Sequence, residues 1–157
     1  MGSAVERLTK LVRDEDRFNV SHSDLCDTQV EALNEVFQER KDRIKLLAFR
    51  AKEGNVTEIQ SREDMVPLLF PHTAYKSYPE SFLSEQRWDR LTKWLGTVSA
   101  YPITDIDTAD IADIDEWITR LEENGHHVSA SSGTTGKSAM LIASDKDLEW
   151  SRITSEP

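Results

Sequence analysis

Ser131-Ser132-Gly133-Thr134-Thr135-Gly136-Lys137-Ser138 is the stretch on which the reading of this chain turns. Two glycines, a row of hydroxyls and a lysine are poor material for a packed core and good material for holding phosphate. Gly133 and Gly136 tolerate positive φ and let the backbone approach a ligand closely. Successive N–H groups in such a turn form an anion-binding nest. Ser131, Ser132, Thr134 and Thr135 add hydroxyl donors, and Lys137 adds a mobile positive charge. The same residues also favour a plain surface turn. A lysine directly after the second glycine has no purpose in a mere turn, so the phosphate loop is the better reading.

The flanks of the octapeptide decide the architecture. His126-His127-Val128-Ser129-Ala130 reads as a strand entering the loop, with its two histidines on opposite faces. Ala139-Met140-Leu141-Ile142-Ala143 is a short apolar run that reads as a second strand. Ser144 then heads a helix, with Asp145 and Asp147 in its first turn and Leu148 and Trp150 beyond. A Walker loop, GxxxxGK(S/T), needs a glycine where this chain has Ser131, and a helix immediately after the lysine. A diverged Walker-type nucleotide-binding segment is therefore the weaker alternative.

Working back towards the N-terminus, Ser3 and Glu6 form a capping-box pattern ahead of Val5, Leu8, Leu11 and Val12, which predicts a helix over about 4–16. Asp24 or Asp27 can cap a second, longer helix. Its stripe is Val30, Leu33, Val36, Phe37, Ile44 and Leu47; the charged middle at residues 38–43 is its solvated face or a break, and Gly54-Asn55 is its stop. Ser61 opens a short helical turn closed by Pro71, and residues 72–79 read as an aromatic, polar loop. Ser84 is the expected cap of a third helix carrying Trp88, Leu91, Trp94 and Leu95, closed by Gly96. Asp105, Asp107, Asp110, Asp113, Asp115 and Glu116 are alternating oxygen ligands, but they lack the spacing and glycine of a calcium loop. Helix caps explain them better, with Asp115 heading a helix through Leu121 that stops at Gly125. The chain thus divides into a helical segment 1–57, a helix and loop segment 58–125, and a strand–loop–strand–helix segment 126–157, all within one α/β domain.

Composition narrows the partners. A net charge of −10 over 157 residues opposes nucleic acid or an anionic membrane surface, both of which reward basic patches. Any nucleotide site must be locally positive. The single cysteine, Cys26, leaves no intrachain disulfide and no multi-cysteine metal site. No apolar run approaches the roughly 20 residues of a membrane helix, no export signal follows Met1, and Glu6 stands where N-myristoylation needs Ser or Thr. These features predict a cytoplasmic protein.

Val128 together with Ser131, Ser132, Gly133, Thr134, Thr135 and Gly136 resembles the signature of the adenylate-forming (AMP-binding, acyl-CoA ligase) superfamily. That pattern is an apolar residue, two variable positions, then a Ser/Thr/Gly-rich loop. It usually ends in Pro-Lys or a similar pair, where this chain has Ser138-Ala139. The departure resembles the phenylacetate–CoA ligase and acyl-protein synthetase branch, in which SSGTTGK is followed by a strand and an Asp-x-x-Trp helix; Asp147-Leu148-Glu149-Trp150 is similar. Upstream, Val66-Pro67-Leu68-Leu69-Phe70 and Tyr78-Pro79 resemble that branch's leucine-Pro-Phe and Tyr-Pro region, and Thr73 and Lys76 loosely match its Thr-Lys element.

The resemblance implies the N-terminal portion of a ligase that uses ATP and Mg2+. A carboxylic acid substrate attacks the α-phosphate to give an acyl-adenylate and pyrophosphate, and a thiol then takes the acyl group. It further implies that Ser131, Ser132, Gly133, Thr134, Thr135, Gly136 and Lys137 hold the β- and γ-phosphates. The adenine, ribose, magnesium and acyl sites lie downstream of this loop in that superfamily. The isolated chain is accordingly expected to be inactive in adenylation. It is also expected to self-associate or to be disordered after about Ser144. A third possibility is a non-catalytic helical interaction module built on the stripe from Val30 to Phe49.

Overall fold

A computed structural model describes residues 2–131 and 137–155. The chain is a mixed α/β protein in which helix predominates and a two-stranded antiparallel sheet is the only sheet among the described residues. It separates into two compact units, one of residues up to Leu69 with those from Glu149 on, the other of Phe70–Leu148.

The first unit is helical. Helix α1, Ala4–Val12, starts with the expected capping box, Ser3 Oγ accepting from Glu6 N and the Glu6 carboxylate accepting from Ser3 N. Its next two N–H groups, on Ala4 and Val5, donate to the carboxylate of Glu35 at 2.8 and 3.1 Å. Those two bonds hold the Glu35 carboxyl below its ordinary pKa. Glu35 belongs to α2, His22–Arg40, whose cap is Ser21 rather than Asp24 or Asp27. The long second helix breaks at the charged 41–44 stretch, and α3, Lys45–Glu53, begins after it and ends at Gly54 as expected. A 3-10 turn over Glu63–Leu68 carries Pro67 and closes this unit's small core of Phe37, Ala51, Ile59 and Leu68.

The second unit holds the larger core. A single turn, α4, Ser81–Ser84, precedes α5, Trp88–Leu95. Ser84 therefore ends a turn instead of capping the helix, and Arg87 occupies the cap position. Trp88, Leu91 and Leu95 face inward as their spacing requires, with Gly96 closing the helix. Helix α6, Ile114–Glu123, is capped by Asp113, whose Oδ1 accepts from the N–H groups of Asp115 and Glu116 at 3.0 Å. Asp115 is thus one turn position inside the helix it was expected to start. Trp117 and Leu121 of α6 are fully buried against α5 residues, and Trp88 and Trp117 stack with centroids 6.2 Å apart. Each indole N–H is satisfied: Trp88 donates to Ile111 O at 2.9 Å, Trp117 to Thr92 Oγ1 at 2.8 Å, and Trp94 to Ser77 Oγ at 2.9 Å.

Helix α6 leads through Gly125, at φ +75°, into β1, His126–Ala130. Strand β2, Met140–Ser144, returns antiparallel in the register His126 opposite Ser144 and Ala130 opposite Met140. Met140 plugs the core from the β2 side. Helix α7, Asp145–Ser155, comes directly after it. Ser144 caps it, accepting from Asp147 N at 3.2 Å while the Asp147 carboxylate accepts from Ser144 N at 2.9 Å. A helix over Asp145–Ser155 thus stands in place of the disorder that was one of the two outcomes expected there.

Candidate functional site

The site centres on the connection between β1 and β2. Ser131 N donates to Ala139 O at 3.0 Å, and Ala139 N donates to Ser131 Oγ at 2.9 Å. Ser131 therefore closes the hairpin with both its backbone and its side chain. Of the residues read as phosphate ligands, Ser132, Gly133, Thr134, Thr135 and Gly136 lie outside the described residues. Ser131 and Lys137 are described, and they mark the two ends of the segment. Beyond Lys137 the chain enters strand β2, where a Walker loop requires a helix.

Lys137 and Ser138 are held by a residue far away in sequence. The Tyr78 hydroxyl donates to Ser138 O at 2.8 Å, and the Lys137 ammonium sits over the Tyr78 ring, 4.3 Å from its centroid. Tyr78 itself is fully buried, with Trp94 edge-on to it at 4.9 Å. Burial, with Glu80 adding its charge, pushes the Tyr78 hydroxyl above its ordinary pKa, so it stays a donor. The sequence placed Tyr78 in a polar loop. Its only local signal was the Tyr78-Pro79 pair, and the 3-10 turn Ala74–Lys76 is what brings the chain back to the core before it.

The histidines of β1 take different tasks on its two faces, as expected. His127 Nε2 stands 2.8 Å from Asp145 Oδ1 at the first turn of α7. His126 is buried, and its Nδ1 has no hydrogen-bond partner. Desolvation lowers its pKa, against the opposing effects of a bond to the Pro102 carbonyl and the charge of Asp145; His127 adds to the lowering.

The acidic stretch is occupied with backbone. Asp107 accepts from Ala109 N at 3.0 Å, Glu116 from Ala112 N at 2.8 Å, and Asp110 pairs with Arg120 at 3.3 Å. Among the described residues no group of three His, Cys, Asp or Glu is placed to hold a metal ion. The donor set at the hairpin suits a phosphate chain: one cation with no acidic partner among the described residues, a serine hydroxyl, and backbone at the end of a strand. Magnesium bound with such a chain would take its oxygen ligands mainly from phosphate and water.

The first unit has a concavity of its own, about 670 Å³, between α1, α2 and the 3-10 turn. Val5, Leu8, Leu33, Val36 and Met65 line it, Trp150 borders it, and Arg62 stands at its rim, donating to Cys26 Sγ and Gln29 Oε1 at 3.0 Å. Among the described residues no helix is long and apolar enough to cross a membrane. No family model, no curated protein and no solved structure matches the chain.

Proposed function

We propose that the β1–β2 connection is the phosphate-binding loop of an ATP-dependent acyl-adenylating ligase, and that this chain supplies the N-terminal part of that enzyme's large domain. The observation that carries the reading is the strand after Lys137. A Ser/Thr/Gly-rich segment set between antiparallel strands, followed by a capped helix bearing Asp147 and Trp150, has the element order of the adenylate-forming enzymes that SSGTTGKS resembles. The loop's task is electrostatic: preorganised N–H and hydroxyl donors, with Lys137, take up charge that moves onto the leaving pyrophosphate. Magnesium, when bound, supplies further neutralisation of that charge. In that superfamily the carboxylate and thiol chemistry belongs to other residues, and the part this loop plays is to bind the phosphate chain.

Calorimetric titration with Mg-ATP and with sodium tripolyphosphate tests this. The wild-type chain should bind both, and a Lys137→Ala, Thr134→Ala double variant should lose at least about ten-fold in affinity, since each charge-assisted or hydroxyl bond contributes about 1–3 kcal/mol. Heat absent from the wild-type titration would sink the reading.

The open apolar concavity beside α1 and α2 favours a second reading, a helical interaction module. Val66 and Leu69, 64% and 58% exposed on its edge, are its supporting observation. A chain that ignores both phosphate probes, yet changes its α1–α2 amide resonances with a binding partner, would fit that reading instead.

A further inference from the structure

We infer that Tyr78 is the positioning residue of the phosphate loop, holding its C-terminal end in place and keeping the Lys137 ammonium parked until an anion arrives. The inference rests on the phosphate reading of SSGTTGKS and adds to it a residue outside that motif. Tyr78 makes two contacts at adjacent positions of the loop's exit. Its hydroxyl donates to Ser138 O at 2.8 Å, and its ring face carries Lys137 Nζ at 4.3 Å. Neither contact is a packing accident of a mobile side chain. The ring is fully buried, held edge-on by Trp94, and Trp94 is pinned in turn by its indole bond to Ser77 Oγ.

The two contacts differ in kind, and that difference is the device. The hydroxyl bond fixes backbone at the point where the segment joins β2, opposite the closure that Ser131 makes with Ala139. Both ends of the segment are thereby pinned. The ring contact fixes a charge without neutralising it, because a π face attracts an ammonium but is no substitute for an anion. A carboxylate in that position would hold Lys137 by an ion pair that phosphate must break. A tyrosine lets the ammonium go to phosphate at small cost, while its hydroxyl keeps the backbone where it was. The ligand class is a polyphosphate chain, whether free or on a nucleotide.

NMR and calorimetry with sodium tripolyphosphate test this in the wild-type chain and in Tyr78→Phe. In the free wild type, the Tyr78 ring current moves the Lys137 ε-methylene protons upfield of an ordinary lysine. Titration should return them towards ordinary values with the same midpoint as the heat of binding. Tyr78→Phe keeps the ring and the upfield shift but releases Ser138 O, and should bind tripolyphosphate about five-fold more weakly. A Tyr78 that served packing alone would alter the unfolding midpoint of Tyr78→Phe and leave its tripolyphosphate affinity unchanged. Wild-type binding with the upfield shift absent at the start, or unchanged at saturation, overturns the inference and leaves the phosphate reading standing. Equal affinities of the two proteins do the same. Absence of wild-type binding overturns both. The wild-type measurement needs no variant, so it decides the matter even if Tyr78→Phe does not fold.

Discussion

His126 is a buried imidazole with one nitrogen left unpaired, and its position makes the protein sensitive to mild acid. Its Nδ1 is buried and has no hydrogen-bond partner. Protonating Nδ1 would bury a charge without a partner at that atom. The folded pKa is accordingly lowered, chiefly by desolvation, from the ordinary 6.5. Proton linkage gives the sign. As pH falls below 6.5 the unfolded chain takes up a proton that the folded chain refuses, so stability is full above that value and is lost as pH falls towards the lowered folded pKa. Glu35 and Asp64 also have lowered pKa values, but from ordinary values of 4.5 and 3.8, so they act in stronger acid. Urea unfolding at about pH 7.5 and about pH 5.5 should show the wild type losing stability across that interval, and His126→Leu losing clearly less. Parallel losses in the two proteins would assign the acid sensitivity to other groups.

Helix α6 shows which parts of an element can be read from sequence. Its buried face of Trp117 and Leu121 came from the structure. Its existence and its end were plain from an acidic stretch, a run through Leu121 and the stop at Gly125, because such signals are local. Its start was not, since Asp110, Asp113 and Asp115 are all competent caps and the choice depends on backbone angles. Asp113 wins because it is extended, at φ −149° and ψ −179°, and so aims its carboxylate at the free N–H groups of Asp115 and Glu116. Asp113→Ala should therefore lower stability by about 1 kcal/mol, whereas Asp115→Ala should cost distinctly less; thermal melts of the two variants at one pH check the order. The same ambiguity moved the cap of α2 from Asp24 to Ser21 and detached Ser84 from α5. Near the candidate site, the two strands and the helix capped by Ser144 were legible, because every signal for them is local and needs only neighbouring residues. The role of Tyr78 was hidden. Its partner Ser138 is 60 positions away, and no periodicity or spacing reports a contact of that range.

The charge of the whole chain makes an unusual demand on a phosphate site. A net charge of −10 repels any polyphosphate that approaches, while Lys137 attracts it at contact. Distance decides which of these salt affects. In water two unit charges about 15 Å apart interact by about 0.3 kcal/mol, and two at about 4 Å by about 1 kcal/mol. A single contact pair is thus outweighed by the summed repulsion of many distant ones when nothing screens them. The Debye length is about 30 Å at about 0.01 M salt and about 8 Å at about 0.15 M. Raising salt across that range removes most of the repulsion arising at about 15 Å and leaves most of the attraction at about 4 Å. The backbone and hydroxyl donors of the loop carry no net charge and change little. Tripolyphosphate affinity should therefore rise several-fold between those salt concentrations, opposite to the behaviour of a basic phosphate-binding surface. Lys137→Gln should rise more steeply still, because it keeps the repulsion and lacks the opposing contact charge. Calorimetric titrations of both proteins at the two concentrations measure this. A steep fall for the wild type would mean that several cations surround the ligand, and that the binding surface is not the one built on Lys137 alone.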